Sequence, residues 1–384
     1  MWLPALLAFL SFQATDFNAE GIKALEQEKY TEAAGAFEKA IERDPSDYGA
    51  RFHLAFANSM LGKKTEAIAG YEKVLELKPG LYEAELNLGI LLIDAKQFDK
   101  AVAQLKSATE KKPGEFRPNY YLAEALLEKD DPAAAESYYK AASNANPKEA
   151  AVEIGLGRAI MHQGRLDEAA PHLNRGVELE PKYQGALLEL ASRYEQAKQI
   201  PHAIELYKKF PDNPAARERL GELLLEAGRL DESIQQLQAA VKESPTAANR
   251  YALATAYLRS KQLDQAAPLL ELALQEQPSD FTLRMTYGRV LRDQKKYAQA
   301  AQEFLRAAQL QATSKEAWSE LAGMLILLEN HPQALAALDR VEALDAKAIS
   351  VHFFRAMILD KGQQYELALK SYEKFLSMSS GVYP

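Results

Sequence analysis

The chain of 384 residues contains no cysteine, which removes disulfides, thiolate nucleophiles and cysteine-ligated zinc together. It is also short of positive charge. The 46 Lys and Arg against 54 Asp and Glu leave a net charge of −8, whereas sequence-independent binding to a phosphate backbone needs a basic face. The apolar run at residues 2–12 is too short to cross a bilayer as a helix. Histidine is sparse: His53, His162, His172, His202, His331 and His352 form no His-Glu-x-x-His and no i, i+4 pair. Gly62-Lys63-Lys64-Thr65 ends like a phosphate-binding loop, but Ala57 stands where the upstream glycine is required, and a helical stretch precedes it instead of a strand. No Gly-x-Ser-x-Gly elbow occurs. The many Asp and Glu read as solvated helix faces. The expectation is therefore a chain that is not an enzyme and takes no metal or cofactor.

What is present is one unit used repeatedly. Residues 82–115 read as two amphipathic helices joined by a tight turn: Leu88, Gly89 and Leu92 share a face of the first, and Ala101, Leu105 and Ala108 recur at i, i+4, i+7 in the second. The segment from Asp94 to Phe98 interrupts the pattern, and Pro113 ends the second helix because proline lacks the N–H and clashes with the preceding turn. Pro45, Pro79, Pro113, Pro147 and Pro181 follow one another at intervals of 34 residues. Ahead of each comes the same pattern: Ala33, Phe37, Ala40; Ala67, Tyr71, Val74; Ala101, Leu105, Ala108; Ala135, Tyr139, Ala142; Ala169, Leu173, Gly176. A single hairpin cannot bury its apolar face alone, so the units must stack.

This pattern resembles the tetratricopeptide repeat (TPR) family, whose Leu-Gly pair is matched by Leu88-Gly89, Leu156-Gly157, Leu220-Gly221 and Tyr287-Gly288. The resemblance implies an all-α, right-handed superhelical solenoid of about eleven antiparallel helix pairs. It also implies that the first helix of each unit lines a concave groove. Carried onto this chain, the groove residues are Phe52, Phe56, Met60, Leu86, Asn87, Ile90, Ile93, Tyr120 and Tyr121, with Arg158 and Arg219 among the charged inner positions. An apolar, aromatic floor of this kind suits an extended peptide or a partner helix. Two groove patterns of the family do not carry over. The first three units hold Asn18, Ile22, His53, Glu83 and Asn87 where a two-carboxylate clamp needs lysine, asparagine and arginine, and only Asn87 fits an asparagine ladder.

The sixth unit is cut short by Phe210-Pro211-Asp212-Asn213-Pro214. This reads either as the boundary between an N-terminal arm, residues 15–213, and a C-terminal arm, residues 214–384, or as a tolerated deletion within one stack. Residues 1–14, MWLPALLAFLSFQA, resemble a secretory signal peptide; the other reading is an apolar segment docked on the first repeat. The last helix carries Leu367, Leu369, Tyr372, Phe375 and Leu376, more apolar surface than one neighbour covers, and is expected either to pair with itself or a partner or to tolerate partial exposure. The functional expectation is a protein-interaction scaffold that takes a protein or peptide partner, not nucleic acid, in a bacterial periplasm or at a cell surface. The alternatives are a cytoplasmic location, or an accessory subunit of an envelope enzyme complex that assembles glycan or peptidoglycan.

Overall fold

The computed structural model describes residues 16–379. The export segment expected at residues 1–14 lies outside the described residues. Two compact units divide the chain, Met1–Ala197 and Lys198–Pro384. The first holds α1 (Phe17–Glu26), α2 (Tyr30–Arg43), α3 (Tyr48–Met60), α4 (Lys64–Leu77), α5 (Tyr82–Asp94), α6 (Phe98–Lys111), α7 (Phe116–Glu128), α8 (Pro132–Ala145), α9 (Ala150–His162), α10 (Leu166–Leu179) and α11 (Gly185–Gln196). The second holds α12 (Ile200–Tyr207), α13 (Pro214–Glu226), α14 (Leu230–Glu243), α15 (Ala247–Arg259), α16 (Leu263–Glu276), α17 (Phe281–Asp293), α18 (Tyr297–Leu310), α19 (Lys315–Leu327), α20 (His331–Leu344), α21 (Ile349–Lys361) and α22 (Tyr365–Ser379). Among the described residues there is no strand, and no helix is long and apolar enough to cross a membrane. The chain passes from one compact unit to the next between Ala197 and Lys198, in the turn inside the sixth repeat and upstream of the 213/214 position expected from the prolines. Those prolines do shorten α12 to eight residues.

Within each unit a second helix packs on its own first helix and on the first helix of the next repeat, as α6 does on α5 and α7. The pairing rests on a small residue in the first helix. Counting Tyr48 as position one of its repeat, position eight is Gly or Ala throughout, from Gly21, Ala55 and Gly89 to Gly288, Ala322 and Ala356, and each of these six is buried. A Cβ added to Gly89 would lie 2.4 Å from Leu105 Cγ, and one added to Gly288 would lie 2.6 Å from Phe304 Cε1. Position twenty is a buried alanine in ten repeats; the exception, Ser233, donates its hydroxyl to the Gly221 carbonyl at 2.7 Å, so the extra polar atom is satisfied where it is buried.

The turn within each hairpin places one residue in the left-handed region. At Lys96 (φ 56°) the Lys96 N–H donates to Ile93 and the Gln97 N–H to Leu92, both at 2.8 Å, the pairing that closes a Schellman helix end. The eleven turns use glycine only at Gly62, Gly164 and Gly228. The loop between hairpins is tied from position four. Arg51 Nε donates to the Pro45 carbonyl at 3.1 Å, Asn119 Nδ2 to Pro113 at 2.9 Å, Arg284 Nε to Pro278 at 3.0 Å and Trp318 Nε1 to Ala312 at 3.0 Å. Trp318 does this where the closing proline is missing, which keeps the tenth repeat in register without it.

Burial at the far end of the second unit is less well balanced. His352 is buried, and neither ring nitrogen has a hydrogen-bond partner among the described residues. Desolvation, reinforced by Lys374 and Arg355, lowers its pKa below 6.5, while Glu342, 3.8 Å away, acts the other way. Glu342 is held down to about 2, first by the hydrogen bond from Lys374 and then by Arg355.

Two outcomes are expected. Gly288→Ala, which forces a methyl into the Phe304 ring, should cost about 1–3 kcal/mol, read as a lower urea midpoint; Gly35→Ala, in α2 with nothing within 4 Å of the new methyl, should be neutral or stabilising. Equal midpoints for the two variants would remove the close approach as the constraint. Because His352 is harder to protonate folded than unfolded, its stability contribution is present above pH 6.5 and is lost as pH falls toward the lower folded value. His352→Leu should therefore flatten the fall in melting temperature as pH drops below 6.5; an unchanged slope would assign that fall to other groups.

Candidate functional site

Several neighbouring first helices touch one another, α1 with α3, α5 with α7, α7 with α9 and α9 with α11 in the first unit, so their inner side chains face one side of that unit. This side opens into a cleft of about 480 Å³. Its walls are Leu25 of α1; Phe52, His53 and Phe56 of α3; Tyr82, Glu83, Leu86 and Asn87 of α5; and Glu115 and Arg117 at the start of α7. Four expected groove residues, Phe52, Phe56, Leu86 and Asn87, thus meet in one place.

Their depths differ. Phe56 is 36% exposed, whereas Leu86 is 4% exposed, so Leu86 is core that shows one edge to the cleft. Phe52 is half-buried and stands edge-on to Tyr71, with ring centroids 5.4 Å apart. Asn87 Nδ2 donates to the Tyr71 hydroxyl at 3.2 Å, which fixes the amide beside the floor. His53 stacks on Phe37 at 5.2 Å, and its burial lowers its pKa against the pull of Asp47, so it lines the cleft as a neutral ring at pH 7.

The rim is polar. The Tyr82 hydroxyl donates to Glu115 Oε2 at 2.8 Å, and Lys112 Nζ sits 3.9 Å from the Tyr82 ring centroid. Burial and that carboxylate push the Tyr82 phenol up to about 12, and the same hydrogen bond lowers the Glu115 pKa. Both groups therefore keep fixed protonation states near neutrality, a phenol that donates and a carboxylate that accepts.

The other expected residues lie outside this cleft. Met60, at the end of α3, is 50% exposed, and Ile90 and Ile93 are half-buried on α5. Tyr120 stacks on Phe116 at 5.5 Å and meets Tyr121 and Tyr139 edge-on. Beneath them the Tyr139 hydroxyl donates to Glu124, whose pKa burial raises. Arg158 Nε is bonded to Glu189 Oε2 at 3.1 Å. Arg219 belongs to the second unit, where it pairs with Glu222 one turn along α13.

Sequence reasoning missed Leu25, Tyr82, Glu115 and Arg117 as cleft walls. It also missed exposed apolar residues on one helix of the second unit: Phe353 (38% exposed), Phe354 (39%) and Met357 (40%) on α21. The signal was available, because Phe353, Phe354 and Met357 hold the repeat positions of Phe52, His53 and Phe56. Among the described residues no group of three or more His, Asp or Glu is placed to hold a metal ion.

Comparison with known proteins places this geometry. A stretch of 122 residues is 30% identical to anaphase-promoting complex subunit 3 of Schizosaccharomyces pombe, covering 32% of this chain and 18% of that protein, so the chain spans about a fifth of that relative's length. Among solved structures, Naa15/Naa10 bound to HypK-THB aligns over 95% of this chain and 75% of the other at 17% identity and a TM-score of 0.43. MamA of Desulfovibrio magneticus RS-1 aligns over 43% and 94% at 22% identity and a TM-score of 0.41. One tetratricopeptide repeat family model matches residues 18–82, 188–248 and 251–317, and a second matches 62–127 and 126–190. With the periodic hairpins and the small residue at position eight, these matches make the chain a member of the tetratricopeptide repeat family.

Proposed function

We propose that the protein is a non-catalytic interaction scaffold that holds a peptide segment or partner helix in the cleft of its first unit. The observation that carries this reading is the cleft itself, an opening with an aromatic and aliphatic floor and a polar rim, bordered by exposed Phe56. Such a surface gains affinity by burying apolar anchors and gains direction from the groups around them. Arg117 and Glu83 both line the cleft near Tyr82, which would favour partners whose charges match in register. Repeat families carry many functions on one architecture, so the site and not the fold must select the partner.

Panning a library of twelve-residue peptides against the whole chain tests the proposal. Enriched peptides should carry aliphatic or aromatic anchors and should bind the Phe56→Ala variant at least about tenfold more weakly at an unchanged melting temperature. Leu86→Ala, by contrast, should cost about 2–5 kcal/mol of stability because it empties core. Peptides that bind both proteins equally would overturn the cleft as the site. We extend the proposal to a partner in a bacterial cell envelope on the export reading of residues 1–14. Intact mass of the native chain decides this: a mature form starting near Thr15 in the envelope fraction supports it, and a cytosolic chain retaining Met1 sinks it.

A further inference from the structure

The inner face of the first unit changes chemistry at α7. Position nine holds Phe56 on α3 and Ile90 on α5, but Glu124 on α7 and Arg158 on α9. Glu124 is half-buried, and its carboxyl is held from behind: the hydroxyl of Tyr139, on the second helix α8, donates to Glu124 Oε1. That reach depends on Gly155 at position six of α9, where α3, α5, α7 and α11 carry His53, Asn87, Tyr121 and Glu189. A Cβ on Gly155 would lie 2.7 Å from the Tyr139 hydroxyl and closer still to its ring, so glycine is what lets the phenol pass to the carboxyl.

This carboxyl has donors but no cation bonded to it. Burial raises the Glu124 pKa and Glu128 adds to the rise, while the Tyr139 and Tyr120 hydroxyls and the charge of Arg158 offset only part of it. Arg158 is itself committed: its Nε is bonded to Glu189 Oε2 at 3.1 Å, and His162 Nε2 lies 3.9 Å from the other oxygen of that carboxylate. Tyr121 and Tyr120 precede Glu124 by three and four residues, so the three side chains share one helix face. Both rings are partly exposed and meet edge-on at 5.1 Å. A carboxyl flanked by phenol rings and lacking a bonded cation is complementary to a cationic side chain, which gains from the ion pair and from the ring faces together. An acidic or apolar group in the same place would deepen the desolvation of the carboxylate. The neighbouring inner positions favour the same charge, since from position five onward α7, α9 and α11 set Glu124, Glu128, Glu189 and Glu195 against Arg158.

We propose that Glu124, Tyr120 and Tyr121 form a subsite on the inner face of the first unit that takes a lysine or arginine side chain of a bound protein segment. The inference rests on the reading that this face receives a partner segment, but it makes no use of the cleft. The probe is the acetylated peptide amide Ala-Ala-Lys-Ala-Ala, compared with versions carrying arginine, glutamine or glutamate at the centre, titrated against the whole chain near neutral pH and followed by saturation-transfer NMR. The lysine and arginine peptides should bind saturably and at least about tenfold more tightly than the other two. Glu124→Gln keeps the shape and can still accept from Tyr139, and it should remove that difference without lowering the melting temperature. Tyr121→Leu, at a partly exposed position, should weaken the lysine peptide, whereas Phe56→Ala should leave its binding as in the wild type. Equal affinity for the four peptides, no binding of any of them, or a preference for lysine that survives Glu124→Gln overturns the subsite. The cleft still stands in that case if library peptides lose affinity with Phe56→Ala, and loss of that dependence alone sinks the cleft and leaves this subsite in place.

Discussion

The contact between repeat positions eight and twenty-four sets the distance on which the remaining packing depends. With glycine or alanine on the first helix, the Leu105 and Phe304 side chains lie directly on the facing backbone. The two helices then run close enough for a second small residue, the alanine at position twenty, to be buried without a cavity. Once that spacing is set, the outer side of the second helix presents a stripe of fixed width to the next repeat. The same geometry is thereby passed along each unit by nearest-neighbour contacts alone.

This is why so much of the fold was legible in the sequence. A periodic constraint on residue size leaves a periodic signature, and the prolines from Pro45 to Pro181 and the Leu-Gly pairs register it. Other supports were harder to read because unlike residues do the same work. Arg51, Asn119, Arg284 and Trp318 share no chemical class, yet each donates to a carbonyl six residues back. Left-handed turn residues such as Lys96, Asp130 and Glu329 are equally unlike one another, since the Schellman hydrogen bonds stabilise a backbone shape that no particular side chain has to announce. The division between Ala197 and Lys198 left no mark either. It falls in an ordinary hairpin turn, while the conspicuous prolines nearby only end α12 early.

The candidate site was legible in direction but not in depth. Repeat position says which way a side chain points from its helix, and it brought Phe52, Phe56, Leu86 and Asn87 to one cleft. How far each is covered depends on the neighbouring first helix. Leu86 is almost fully covered on α5, and Met60 stays in the open at the end of its helix. The rim was missed for a related reason: Glu115 closes the repeat that supplies Leu86 and Asn87, and Arg117 opens the next one, both away from the inner helix positions.

A division of labour follows from the same arithmetic. Positions eight, twenty and twenty-four carry the hairpin, and in this chain they barely change: small, alanine or serine, and leucine or aromatic. The inner positions five, six and nine run from Phe52, His53 and Phe56 through Leu86, Asn87 and Ile90 to Ile154, Gly155 and Arg158. Where an inner residue is partly exposed, as Phe56, Ile90 and Arg158 are, it can change character without altering the spacing that holds the stack. The fold therefore constrains one face of each first helix and leaves the other to vary. Under the proposed function, recognition falls to the exposed inner positions, because the three interior ones are already committed to keeping two backbones together.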